Sequence, residues 1–97
     1  MNGAAAAIKR IGVLVKGRVQ GVGFRYFTED AANHFCLTGW VANRFDGGVE
    51  LEAQGEASDI DEFCARLRSG PPLSHVSDLQ VNDLPLETGE KGFEVRY

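Results

Sequence analysis

The stretch Gly17–Arg25, with the sequence GRVQGVGFR, separates two different patterns of hydrophobic residues. Before it, hydrophobic residues alternate with others over positions 8–16, which is typical of a buried β-strand. After it, hydrophobic residues recur at intervals of three and four from Phe24 to Cys36, which indicates an amphipathic helix. The chain therefore passes from a strand into a helix through a short glycine-rich turn.

The remaining pattern predicts four more strands and one more helix. Asp46-Gly47 favours a tight turn between two of these strands, because both residues accept positive φ angles. The order β-α-β-β-α-β, with a short final strand, predicts an α+β sandwich in which an antiparallel sheet carries two helices on one face. The predicted elements are strands at Thr38–Phe45, Gly48–Gln54, Val76–Val81 and Phe93–Tyr97, and a helix that begins at Ser58.

The length of 97 residues predicts one domain with one core. Residues 1–8 are expected to form a loose N-terminal leader and residues 9–97 the domain. The apolar part of the leader, Ala4–Ile8, is shorter than the core of about 7–15 residues found in signal peptides. A domain of this size is expected to be a monomer.

The charge balance argues against two classes of partner. Lys and Arg number 10 against 14 Asp and Glu, and the isoelectric point is near 5.0. A net negative chain is poorly suited to bind nucleic acid or an anionic membrane surface, and no stretch approaches the roughly 20 apolar residues of a membrane span. RNA-binding domains share the predicted element order, but the acidic composition opposes that function. Any anionic ligand must be held by local groups.

The cysteines and histidines do not form a recognisable metal motif. Cys36 and Cys64 are isolated, with no C-x-x-C pair, so we expect no metal and no cofactor. We interpret both as small buried residues of a protein in the reducing cytoplasm. His34 and His75 are expected to be surface residues.

Three phosphate motifs are excluded by single positions of the glycine-rich stretch. A Walker A loop needs Lys followed by Ser or Thr after its last glycine, but here Gly23 is followed by Phe24 and Arg25. The dinucleotide fingerprint needs a glycine where Tyr26 stands. A cysteine phosphatase loop needs a cysteine six residues before its arginine, where Val19 stands.

Two interpretations of this turn remain open. In the first, Gly21 and Gly23 allow main-chain N–H groups to converge on an anion at the helix N-terminus. Arg25 fits this interpretation, because a cation in the first helical turn is disfavoured by the helix dipole unless an anion is bound. In the second, the turn is purely structural and Arg25 forms a salt bridge with Glu29 or Asp30.

The stretch Gly17–Arg25 resembles the first signature of the acylphosphatase family, G-x-V-Q-G-V-x-[FY]-R. A second segment, Gly39–Asn43 followed by Gly47–Val49 and Gly55, resembles the second signature of the same family. The resemblance extends over residues 9–97 and includes the terminal GFEVRY. Ala42 departs from many family members, which carry a basic residue before the asparagine.

This resemblance implies a ferredoxin-like sandwich and the hydrolysis of small-molecule acyl phosphates to a carboxylate and inorganic phosphate. It implies that Arg25 binds the phosphate and that Asn43 positions the attacking water. The phosphate cradle would be formed by the main-chain N–H groups of Gln20, Gly21, Val22 and Gly23. The alternative is a noncatalytic domain that binds acyl or carbamoyl phosphates, as in domains fused within larger hydrogenase-maturation proteins.

Overall fold

The computed structural model describes residues 7–97, which form five β-strands and two α-helices in the order that the sequence predicts. Of the expected leader, residues 1–6 lie outside the described residues, and Ile8 is the first residue of the first strand. The elements are β1 (Ile8–Arg18), α1 (Phe24–His34), β2 (Thr38–Asn43), β3 (Val49–Glu56), α2 (Ala57–Ser69), β4 (His75–Leu84) and β5 (Phe93–Arg96).

The strands form one sheet in the order β4-β1-β3-β2-β5. β1 pairs antiparallel with β3 and β4, and β2 pairs antiparallel with β3. β5 pairs parallel with β2, so the prediction of an antiparallel sheet is wrong at this edge. β4 occupies the edge beside β1, and the chain then crosses to the free edge beside β2. As a result, the carboxyl ends of β1, β2 and β5 lie at the same end of the sheet.

One hydrophobic core lies between the sheet and the two helices. Ile11, Val13 and Val15 alternate along β1 and are at most 4% exposed. Phe24 of α1 and Phe63 of α2 are buried in the same cluster. Because burial of one such side chain contributes about 1.5–3 kcal/mol, this cluster fixes both helices against the sheet.

Arg10 lies on the opposite face of the sheet and is only 2% exposed. Its Nε donates to Glu52 at 3.0 Å, while Nη1 and Nη2 donate to the two carboxylate oxygens of Glu90 at 2.8 and 3.1 Å. The hydrogen bonds from Arg10 hold the pKa of Glu90 below its ordinary value. Glu90 lies between β4 and β5, so this ion pair attaches their connection to β1.

Several element boundaries differ from the sequence prediction. Ser58 does not begin α2; the helix begins at Ala57, directly after β3, and the Ala57 N–H donates to the carbonyl of Ala7 at 2.9 Å. β4 extends beyond the predicted Val76–Val81 because it pairs along β1 from Arg18 to Arg10. Pairing with a central strand overrides the low strand propensity of the polar residues near its end.

The cysteines have different environments. Cys64 is buried, as expected, and burial raises the pKa of its thiol. Cys36 is exposed just after α1, with a φ of 56°, so the expectation of burial is wrong there. His34 and His75 are exposed, as predicted. Neither α1 nor α2, the helices of residues 7–97, is long and apolar enough to cross a membrane.

Candidate functional site

The loop of residues 19–23 connects β1 to α1. Gly21 and Gly23 have φ angles of 75° and 79°, in the left-handed region that favours glycine. A Cβ added at either position would meet no atom within 4 Å, so the requirement for glycine comes from backbone conformation. The carbonyl of Gly23 accepts a hydrogen bond from the Phe27 N–H at 3.0 Å, which begins the helical pattern.

The loop also carries main-chain N–H donors at residues 20–23. Among residues 7–97, no hydrogen bond uses the N–H group of any residue from Gln20 to Gly23. Within the same part of the chain, no side chain caps the N-terminus of α1, whose first turn contains no acidic residue. Free N–H groups beside a positive helix terminus form a favourable environment for an anion.

A pocket of about 110 Å³ lies at this helix terminus. Its volume corresponds to roughly three or four waters at about 30 Å³ each, so it suits a small group such as a phosphoryl group and a water. The lining residues are Val19, Gly21, Gly23, Phe24, Arg25, Tyr26 and Asn43. The structure therefore brings together the two glycines, Arg25 and Asn43 of the predicted site.

Arg25 projects from the first turn of α1 and is half-buried. Its Nη1 donates to the carbonyl of Arg96 at 3.0 Å, and its guanidinium lies 4.6 Å from the centre of the Tyr97 ring. Among the described residues it forms no salt bridge, so the ion pair with Glu29 or Asp30 that the sequence left open is not present. The two groups that contact the Arg25 guanidinium here, a carbonyl and an aromatic ring, are both neutral.

Tyr97 connects Arg25 to a second pocket residue. Its hydroxyl is hydrogen-bonded to the hydroxyl of Tyr26, and this bond raises the pKa of Tyr97 above its ordinary value. Sequence reasoning missed the contacts of Tyr26 and Tyr97 at this pocket. No local pattern indicates them, because these contacts join residues 71 positions apart in the chain.

Asn43 is the last residue of β2 and is exposed at the end of the sheet. Ala42 pairs with Arg96 in the parallel ladder between β2 and β5. Asn43 comes directly after Ala42 and Tyr97 directly after Arg96, so both lie at the same end of two neighbouring strands. Neighbouring strands in a sheet are about 4.8 Å apart. Since Arg25 contacts Arg96 and Tyr97, the parallel direction of β5 is what places its guanidinium near Asn43.

Two residues of the predicted phosphate loop, Gln20 and Val22, do not line the pocket. The Gln20 amide donates to the carbonyl oxygens of Arg44 and Gly48, at 2.7 and 2.8 Å. Val22 is half-buried and packs against the core. The predicted role of both residues in the phosphate cradle concerns only their main-chain N–H groups, so it stays a prediction.

No group of three or more His, Cys, Asp or Glu residues in the described part of the chain is arranged to hold a metal ion. A larger depression of about 320 Å³ lies beside the β2–β3 turn. It is lined by Lys16, Gly17, Asp46, Gly47 and Gly48, and includes neither Arg25 nor Asn43. The pocket of about 110 Å³ is therefore the stronger candidate site.

Comparison with known proteins gives consistent results. The acylphosphatase family model matches residues 11–95. An acylphosphatase of Oceanobacillus iheyensis is 46% identical over 91 residues, covering 93% of this chain and 100% of that protein.

Two solved structures extend the comparison. The crystal structure of an acylphosphatase from Bacillus subtilis matches with a TM-score of 0.88 and 38% identity, covering 94% of this chain and 100% of that one. Full-length HypF, crystallised in a phosphate- and nucleotide-bound form, matches with a TM-score of 0.85 and 29% identity, over 99% of this chain but 13% of its own. The family model covers most of the chain, and the two acylphosphatases match it over their whole length, so this chain belongs to the acylphosphatase family.

Proposed function

We propose that this protein is an acylphosphatase, which hydrolyses the carboxyl–phosphate bond of acyl phosphates. Family membership supports the reaction, and the pocket shared by Arg25, Asn43 and the glycine loop supports its location. The observation that carries the proposal is the arrangement of Arg25. Its guanidinium lines an anion-sized pocket and has no carboxylate partner among residues 7–97.

In the proposed ground state, the phosphoryl oxygens accept hydrogen bonds from Arg25 and from the N–H groups of residues 20–23. The planar guanidinium of Arg25 can donate two parallel hydrogen bonds to one phosphoryl group. The loop donors need no reorganisation to bind charge, because no other group occupies them in the described structure.

In the proposed reaction, Asn43 orients a water in line with the bond that breaks. The water oxygen bonds to phosphorus, the bond from phosphorus to the acyl oxygen breaks, and the carboxylate leaves with the electron pair. The product phosphate takes the protons of the water. A carboxylate, whose conjugate acid has a pKa of about 4, leaves without a general acid. If the transition state is loose, the water bears little charge and a neutral amide is sufficient to position it.

The similarity to a segment of HypF favours a second candidate. In that case the chain would bind an acyl or carbamoyl phosphate without hydrolysing it. The two candidates differ in turnover and not in phosphate binding. Asn43 favours the enzyme, because an amide exposed at the pocket is not needed merely to neutralise an anion.

The proposal includes a cytoplasmic monomer that needs no cofactor or metal. Arg25, Asn43 and the loop all come from one chain, so no second copy is needed to complete the pocket. Free thiols at Cys36 and Cys64 are in keeping with a reducing compartment. Light scattering that gives the mass of a dimer would contradict the monomer.

The direct test compares benzoyl phosphate with p-nitrophenyl phosphate, each with and without EDTA. We expect rapid hydrolysis of benzoyl phosphate, little hydrolysis of the phosphomonoester, and no effect of EDTA. Phosphate binding without turnover would support the second candidate, and activity that EDTA abolishes and Mg²⁺ restores would contradict the metal-free reaction.

A further inference from the structure

Gln20 lies in the middle of the loop but its side chain points toward the β2–β3 turn. Nε2 donates to the carbonyl of Arg44 at 2.7 Å and to the carbonyl of Gly48 at 2.8 Å. Both N–H bonds of the amide are therefore used within the protein. The side chain is half-buried and has no free donor to offer a ligand.

The two acceptors belong to the turn that follows Asn43 directly. In this turn the Arg44 N–H donates to the Gly48 carbonyl at 2.9 Å, and the Gly47 N–H donates to the Arg44 carbonyl at 3.3 Å. Among the described residues, the Gln20 amide makes the only hydrogen bonds between the loop 19–23 and the turn 44–48. It thus connects the loop that carries the N–H donors to the turn that begins directly after Asn43.

We propose that Gln20 is a positioning residue, which fixes Asn43 relative to the phosphate loop and does not bind phosphate through its side chain. This inference rests on the proposed function, in which the loop holds the phosphoryl group and Asn43 holds the water. The hydrogen bonds of Gln20 set the distance and direction between these two groups. In-line attack is sensitive to that geometry, because a misplacement of about 1 Å reduces a rate by about 10²-fold.

The chemistry of the amide explains why glutamine is needed. A carbonyl oxygen accepts hydrogen bonds, so two neighbouring carbonyls require a side chain with two donors. Glutamate has the same shape, but when ionised it donates no hydrogen bond, and its negative charge would face two carbonyl oxygens. Methionine has a similar length and is neutral, but it donates no hydrogen bond.

The first test uses Gln20→Met, with Gln54→Met as a matched control. Gln54 also bonds the backbone through its amide: Nε2 donates to the Glu87 carbonyl at 3.0 Å, and Oε1 accepts from the Glu87 N–H at 2.9 Å. It lies on β3 opposite Thr38, at the end of β2 away from Asn43. Each variant loses two hydrogen bonds to the backbone, and Gln54→Met also loses the bond that Oε1 accepts from Arg10 Nη1 at 3.3 Å. Only Gln20 adjoins the pocket, so the control perturbs the fold at least as much without touching the site.

We expect Gln20→Met to lower kcat for benzoyl phosphate by about tenfold or more, with the Kd of inorganic phosphate within about twofold of wild type. Gln54→Met should keep kcat near wild type. Urea unfolding of both variants measures how much each substitution lowers the free energy of unfolding, so that an effect on kcat can be told from a loss of stability. A similar loss of kcat in both variants, or unchanged kcat in Gln20→Met, would overturn the proposal. So would a large rise in the phosphate Kd, since it would assign Gln20 to binding.

The second test is a double-mutant cycle with Asn43→Ala. If Gln20 acts through Asn43, Gln20→Met should have little further effect on kcat once the Asn43 amide is absent. If the fold-reductions in kcat of the two single variants multiply in the double variant, the two residues act independently and the proposal is refuted.

A spectroscopic readout separates this proposal from the proposed function. Gln20→Met should shift or broaden the side-chain amide resonances of Asn43 in a ¹H–¹⁵N spectrum, while resonances of α2 stay unchanged. This result does not depend on turnover, so it tests the positioning role even if wild type fails to hydrolyse acyl phosphates. Unchanged Asn43 resonances would count against the role, whatever the activity.

Discussion

Replacement of Arg25 by alanine should nearly abolish catalysis with little change in stability. Two charge-assisted hydrogen bonds to a phosphoryl group contribute about 1.5–3 kcal/mol each. Because the side chain is only half-buried, solvent screening favours the lower part of this range. A loss of about 4 kcal/mol corresponds to a fall of about 10³-fold in kcat/KM.

The expected loss of stability is much smaller. In the folded protein Arg25 makes one hydrogen bond to a carbonyl and stacks on the exposed ring of Tyr97. A cation–π contact at an exposed site contributes about 0.5–1 kcal/mol and the hydrogen bond about 1 kcal/mol, while removal of a cation from the first helical turn offsets about 0.3–1 kcal/mol of this loss. Arg25→Ala should therefore lower the free energy of unfolding by about 1 kcal/mol, far less than its effect on the transition state.

The assay measures kcat/KM for benzoyl phosphate, the Kd of inorganic phosphate by calorimetry, and unfolding in urea. Arg66→Ala is a matched control, since the Arg66 guanidinium also lies over an aromatic ring, 5.0 Å from the centre of Phe35. Arg25→Lys should rescue activity poorly, because an ammonium group cannot replace the planar fork. If Arg25→Ala keeps more than a tenth of kcat/KM, or binds phosphate as tightly as wild type, the assignment of Arg25 is wrong.

Three further predictions concern other residues. Asn43→Ala should lower kcat by about 10²-fold with near wild-type phosphate affinity; Asn43→Asp should not restore the rate, and a faster Asn43→Asp variant with a new acidic limb in its pH profile would indicate a general base. Tyr97→Ala should weaken phosphate binding about threefold to fivefold by calorimetry, because it removes the ring that orients Arg25. Tyr97→Phe should bind nearly as wild type, and equal losses in both variants would assign the effect to the hydroxyl. Arg10 lowers the pKa of Glu90, so this pair stabilises the fold above the ordinary Glu pKa of about 4.3 and less as pH falls through the lowered value. Because Arg10 keeps Glu52 as a partner, Glu90→Gln should lower the free energy of unfolding at pH 7, measured by urea unfolding, by about 1–2 kcal/mol. It should also flatten the decline of stability below about pH 5, whereas a decline parallel to that of wild type would contradict the assignment.

The sequence predicts the elements well because each depends on local patterns. Alternation along β1 and the helical stripe from Phe24 reflect which side chains face the core, and both are confirmed. The glycines at 21 and 23 are predicted at a turn and lie there with positive φ. These properties follow from a few neighbouring residues, so a single sequence contains them.

The direction of β5 and the partners of Arg25 could not be obtained in this way. Whether β5 is parallel or antiparallel depends on which sheet edge is free after β4 has paired with β1. The local sequence of Arg25 offered Glu29 and Asp30, but the observed partners lie 71 positions and more away, on β5 and beyond it. The role of the Gln20 side chain likewise depends on the distant turn that it contacts.

The partners of individual arginines explain how a chain of net charge −4 can bind an anion. Arg10 and Arg44 each contact two carboxylates, and Arg96 contacts Glu94, so their charges are largely neutralised within the protein. A ligand would have to compete with a carboxylate for each of these three guanidinium groups. Arg25 is held by a carbonyl and an aromatic ring, whose hydrogen bond contributes only about 1 kcal/mol. A phosphoryl group can replace that carbonyl at small cost and gain a charged partner, so the neutral environment of Arg25 both orients the guanidinium and leaves its charge available.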